Sequence, residues 1–147
     1  MRYAYPCRIE RDEDGAFVVS FPDVVGANTG ADDRADALEL AEEALAGALG
    51  MYVEMREPIP VPSPVMDGQE VVAVDPVTAA KLELYTAMRD RGVTKRALAK
   101  RLGLSDTTVG RLIAPNRRSR IDRIGKALRA VGRGLVVEGR TDPANAE

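Results

Sequence analysis

Over residues 3–9 the apolar side chains fall on odd positions, Tyr3, Tyr5, Cys7 and Ile9, while Arg2, Arg8 and Glu10 take even ones. That period of two predicts a strand with one buried face. Residues 11–15 are polar and close on Gly15, a residue able to adopt positive φ, after which Phe17, Val19 and Phe21 again share one face. The two runs together predict a β-hairpin. Pro22-Asp23 ends the second strand, and a short third strand is expected at residues 27–29.

Asp33 followed by Asp36 resembles a capping box with a shorter acid, and first-turn carboxylates suit the positive end of a helix dipole. The helix that follows carries Leu38, Ala41, Leu45, Ala48, Leu49 and Tyr52 at i, i+3, i+4 spacing, with Glu39, Glu42 and Glu43 largely elsewhere around it. One face should pack on the sheet and the other should be acidic. Pro58, Pro60, Pro62 and Pro64 alternate with Ile59, Val61 and Val65, which forbids helix and favours an extended segment at an edge or over the surface. Residues 71–74 have the composition of a closing strand.

Asp75-Pro76 marks a new helix, with aspartate at the cap and proline at the first helical position. It should run toward Arg91 and stop at Gly92, with Ala80, Leu84, Ala87 and Met88 along one face. Thr94 then caps a helix with Leu98, Ala99 and Leu102 inward. Gly103 turns the chain, Leu104 plugs the turn, and Ser105 caps a second helix with Val109, Leu112 and Ile113 inward. A further helix with Ile121, Ile124 and Leu128 inward completes a small bundle. The apolar run 135–137, after Gly132 and Gly134, has strand composition and would pair either with a symmetry mate or with its own domain.

Formal charge sharpens the division. Residues 1–75 hold five Lys/Arg against sixteen Asp/Glu, a charge of −11; residues 76–147 hold sixteen against seven, a charge of +9. A basic half suits polyanions, because neutralising phosphates releases condensed counterions, whereas an acidic half suits a basic protein partner. The expected organisation is α+β: an acidic sheet-plus-helix domain at 1–75, an all-α domain with a short terminal strand at 76–140, and a flexible tail at 141–147. A single cysteine and no histidine take away the usual parts of thiolate-zinc sites, of histidine metal sites and of histidine-based general-base catalysis. No cofactor is expected. No stretch approaches the roughly 20 apolar residues that span a bilayer, and no basic-then-apolar segment stands near the start, so a cytoplasmic protein away from membranes is expected.

Two short helices separated by a glycine turn fit the helix-turn-helix motif. TKRALAKRLGLSDTTVGRL, residues 94–112, resembles the helix-turn-helix of phage-repressor-like (XRE family) regulators. Ala99 is small where the helices cross, and Val109 fills the crossing from the other side. The resemblance implies DNA-binding roles from Thr94 and Ser105 through the recognition helix. Arg111 is suited to guanine, Thr107 or Thr108 to phosphate or a thymine methyl, and Asp106 to cytosine or to bracing an arginine. Lys95 and Arg96 suit phosphates, and Arg117, Arg118 and Arg120 suit the backbone without choice of sequence. Gly110 weakens the recognition helix by up to about 1 kcal/mol relative to alanine, which points to close backbone approach to DNA or to a helix firmed on binding.

The N-terminal order of strand, DEDG hairpin, AFVVSF, FPDVVGANTG and the helix DRADALELAEEALAGALGMYVE, followed by PIPVPSPV and VVAV, resembles the HicB antitoxin family. Val25 stands where family members often have proline. The resemblance implies a partial ribonuclease H-like fold without nuclease activity, a small RNA-cleaving toxin of the HicA kind, expected to be basic, as partner, and repression of the shared operon; because repressors with this helix-turn-helix usually read two half-sites of operator DNA as dimers, a homodimer or higher even oligomer is expected. Asp12, Glu13, Asp14 and Asp23 are candidate toxin contacts. A metal-dependent nuclease would instead need carboxylates on the core strands, where Tyr3, Tyr5, Phe17 and Val19 stand. A stand-alone repressor with a ligand-sensing first domain is the alternative; it would need an apolar pocket with convergent polar groups.

Overall fold

The computed structural model describes residues 1–142; the expected tail at 141–147 lies outside the described residues from position 143 on. The elements are β1 (Ala4–Arg11), β2 (Phe17–Ser20), β3 (Thr29–Ala31), α1 (Arg34–Glu54), β4 (Glu70–Ala73), α2 (Pro76–Arg91), α3 (Lys95–Leu102), α4 (Asp106–Ile113) and α5 (Ile121–Ala130). Two compact units result. The first comprises residues 1–51, 60–75 and 138–142; the second comprises 52–59 and 76–137.

In the first unit the four strands form an antiparallel sheet in the order β3-β2-β1-β4. Alternation along β1 buries Tyr5 and Cys7 and leaves Arg8 exposed; Val19 is buried from β2 and Val72 from β4. Helix α1 adds a stripe of Ala37, Leu38, Ala41, Leu45 and Leu49 to the core, each 4 % exposed or less. Pro6 sits inside β1 without breaking a ladder, because the β1–β2 register begins only at Arg8 and at Pro6 the strand has β4 alone beside it. The Asp33 carboxylate caps α1 by accepting from the backbone N–H groups of Ala35 at 2.8 Å and Asp36 at 3.2 Å.

The second unit is a helical bundle. Its core joins Ala80, Leu84, Ala87 and Met88 of α2, Leu98 and Ala99 of α3, Val109, Leu112 and Ile113 of α4, and Ile124, Ala127 and Leu128 of α5. Helix α2 ends at Gly92, which has a φ of 63°, and its last carbonyls accept from Gly92 N at 3.3 Å and Val93 N at 2.9 Å. Gly132, with a φ of 77°, ends α5 in the same way. The last turn of α1 groups with this unit, and the chain there turns at Arg56 with a φ of 58°. Arg56 N donates to Val53 O at 3.1 Å and Glu57 N to Tyr52 O at 2.9 Å, a left-handed helix cap built without glycine.

Four expectations need correction. The third strand lies at Thr29–Ala31 rather than 27–29, because Ala27 is buried in the turn ahead of it. The closing strand starts one residue earlier, at Glu70. Leu104 and Ile121 are 38 % and 39 % exposed rather than inward; the turn closes through Leu104 N donating to Ala99 O at 2.9 Å, and Ile121 is the first residue of α5, ahead of the buried Ile124. The expected terminal strand at 135–137 is irregular, and Val136 and Val137 are 94 % and 77 % exposed. A strand persists only where neighbouring backbone takes up its N–H and C=O groups, and among the described residues no strand pairs with that run.

Candidate functional site

Helices α3 and α4 owe their placement to three local signals. Thr94 takes an extended backbone and its hydroxyl accepts from Ala97 N at 3.1 Å. Gly103 adopts the left-handed conformation, φ 66° and ψ 33°, which ends α3 within one residue. Ser105 caps α4, its hydroxyl accepting from Thr108 N at 3.1 Å and lying 2.9 Å from the Thr108 hydroxyl. Thr94, Ser105 and Thr108 therefore spend side-chain bonding capacity on holding the helices, whereas Asp106, Thr107 and Arg111 stand exposed on α4. Lys95 and Arg96 are exposed on the first turn of α3. The Lys95 ammonium lies 4.0 Å from where a Cβ on Gly110 would sit, so the Lys95 side chain reaches the middle of α4.

Arg117 and Arg118 are exposed in the loop after α4. Arg120 pairs with Asp122, Nε to Oδ1 at 3.2 Å, with both side chains mostly in solvent; such a pair is worth little in stability and leaves the guanidinium free to exchange partners. The residue that ties this loop to α4 is one the sequence does not advertise. Lys81 of α2 is fully buried, and its ammonium donates to Arg111 O at 2.7 Å, Ala114 O at 3.0 Å and the Ser119 hydroxyl at 2.8 Å. Burial, and then the nearby positive charge of Arg117, hold its pKa below the ordinary lysine value. A lysine on a helix reads as a solvated charge in the absence of the fold, because its acceptors lie 30 or more residues away.

The first unit distributes its acids differently from a single patch. Asp12 closes the hairpin turn, one carboxylate oxygen accepting from Asp14 N and Ala16 N, both at 2.9 Å. Glu13 and Asp14 are exposed at the tip. Asp23 stands at the other end of β2, where its carboxylate accepts from Ser63 N at 2.8 Å and the Ser63 hydroxyl at 2.5 Å and so clamps the proline-rich segment. The structure does not gather these four residues. A denser acidic surface runs along α1, where Asp36, Glu39, Glu42 and Glu43 are exposed. Partial burial and the neighbouring Asp75 raise the Glu42 pKa, against the pull of Arg140, so negative charge is crowded there. Among the described residues no three His, Cys, Asp or Glu side chains converge to hold a metal ion, and no helix is long and apolar enough to cross a membrane.

The chain joins an acidic sheet-and-helix half to a basic helical half. Residues 4–83 match the family model described as the HicB-like antitoxin of bacterial toxin-antitoxin systems. The chain is 38% identical over 133 residues to Antitoxin HicB 1 of Photorhabdus laumondii, covering 90% of this chain and 84% of the relative. It is 37% identical over 131 residues to Antitoxin HicB 2 of the same organism, covering 89% and 92%, and 32% identical over 131 residues to Antitoxin HicB of Escherichia coli K12, covering 89% and 95%. This protein belongs to the HicB-like antitoxin family, and it is an antitoxin of a toxin-antitoxin system.

Proposed function

We propose that the chain neutralises a small, basic, HicA-like ribonuclease toxin by direct binding through its first unit, and represses its own operon by binding operator DNA through its second. In this reading the first unit is a partial ribonuclease H-like scaffold used for binding, without catalysis. The protein is cytoplasmic, and it works as a homodimer or higher even oligomer. A ribonuclease must offer positive charge to RNA, and an acidic partner covers that surface with no chemistry of its own.

The observation that carries the DNA half is the constellation on α3, α4 and the following loop. Two capped helices meet at a left-handed glycine, and Lys95, Arg96, Arg111, Arg117 and Arg118 are exposed on or beside them. This constellation supports reading the pair as a helix-turn-helix of the phage-repressor-like kind, with α4 as recognition helix. Arg111 reads a base edge and the loop arginines grip phosphates. The first half is tested by coexpressing the chain with the product of any short basic reading frame adjacent to its own: a stable complex and relief of growth arrest are expected. Growth arrest that persists with no complex formed overturns it.

A further inference from the structure

A lysine ammonium has three N–H donors, and in Lys81 all three are taken by groups at the end of the proposed recognition helix and in the loop that follows it. Arg111 O is one of the last α4 carbonyls and lacks an intrahelical partner. It accepts from Lys81 at 2.7 Å and from the Ser119 hydroxyl at 3.3 Å. Ala114 O accepts from Lys81 and also from Arg117 N at 3.1 Å. The ammonium therefore binds the backbone of Arg111, the start of the loop and Ser119 into one knot, and Arg117 and Arg118 lie on the short span between two of its ties. A cation at a helix C-terminus also complements the dipole. An apolar side chain could fill this interior without the cost of desolvating an ammonium, so packing alone does not account for a lysine here.

We infer that Lys81 is a positioning residue for DNA reading: it fixes the register between Arg111 on α4 and the arginines of the 117–120 loop without touching DNA itself. The inference rests on the DNA-binding reading and adds the device that keeps base readout and phosphate grip in one frame. Lys81 is fully buried, so its charge cannot pair with a phosphate, and its influence must be exerted through groups it holds.

The test uses the full-length chain with two labelled duplexes, one from the region immediately upstream of its own coding sequence and one of mixed sequence. Lys81→Met and Ser119→Ala are compared with wild type over a range of salt, below each variant's unfolding temperature. Loss of register should cost Lys81→Met at least about tenfold on the upstream duplex. It should also flatten the dependence of log affinity on log salt by about 2, since each phosphate contact contributes about 0.9 and up to three arginines lose their alignment. Adding Arg118→Ala to Lys81→Met should cost little more, because that contact is already misplaced. Ser119→Ala should shift both readings the same way to a smaller extent, and it decides the matter if Lys81→Met does not fold. A folded variant that keeps the wild-type salt slope overturns the inference alone. A slope change near 0.9, with Arg118→Ala keeping its full cost, also overturns it by making Lys81 a direct phosphate contact. Wild-type protein that binds neither duplex overturns the DNA-binding reading, and this inference with it.

Discussion

Gly110 separates what the fold requires from what a partner requires. It lies inside α4 with an ordinary negative φ, and a Cβ built there would meet only the far end of Lys95, at 4.0 Å. That is ordinary van der Waals contact, and the lysine can move. Gly110→Ala should therefore carry no steric penalty and should recover most of the intrinsic difference in helix propensity, about 0.8–1 kcal/mol. For a unit of this size such a gain corresponds to a rise in midpoint of roughly 4–8 °C in the transition of the second unit, readable by calorimetry or by circular dichroism at 222 nm. If glycine is kept because the α4 backbone approaches DNA, the same variant should bind the upstream duplex more weakly while being more stable. A variant less stable than wild type would overturn this expectation, since it would require a close neighbour at Gly110 that the packing lacks.

Other outcomes follow from the same structure. Arg111→Ala should lower operator affinity by roughly 1–3 kcal/mol and relax specificity, while Arg118→Ala should weaken all sequences alike; mobility shifts on specific and random duplexes distinguish the two. Arg56→Gly relieves a left-handed non-glycine cap and should stabilise the protein by up to about 1 kcal/mol, and chemical denaturation that finds it destabilised would count against that cap. Burial, and then the Glu70 carboxylate, push the Cys7 thiol up from 9.0 to about 11. In the unfolded chain the thiol ionises near 9, so stability should fall as pH rises from about 9 to about 11, by up to about 3 kcal/mol at 1.36 kcal/mol per unit. Alkylation of Cys7 by iodoacetamide at neutral pH should accordingly be slow in the folded protein and fast in denaturant.

Local signals account for most of what could be read in advance. The Asp33, Thr94 and Ser105 caps, the Asp75-Pro76 helix start and the Gly92 and Gly103 stops each act within a few residues of themselves, and each stands where its chemistry predicts. Strand alternation along 3–9 likewise places Tyr3, Tyr5 and Cys7 in the core. What stayed hidden depends on distant partners or on a residue acting against its usual preference. Arg56 turns a helix where glycine is the common choice, so no stop signal is written there. Lys81 is buried only because carbonyls from α4 and the loop meet it. Asp23 looks like a free turn carboxylate until Ser63, forty residues on, is folded against it. The apolar run at 135–137 carries strand composition, but composition does not supply the neighbouring strand that β-pairing needs.

In the proposed function the acidic unit and the basic unit hold different partners independently. This is tested most directly with the Arg111→Ala, Arg118→Ala double variant, titrated in parallel with wild type against both the upstream duplex and the HicA-like toxin proposed as partner. The variant should lose the duplex while its affinity for the toxin stays within about twofold of wild type. Loss of both partners together, or retention of the duplex, would contradict the proposed function.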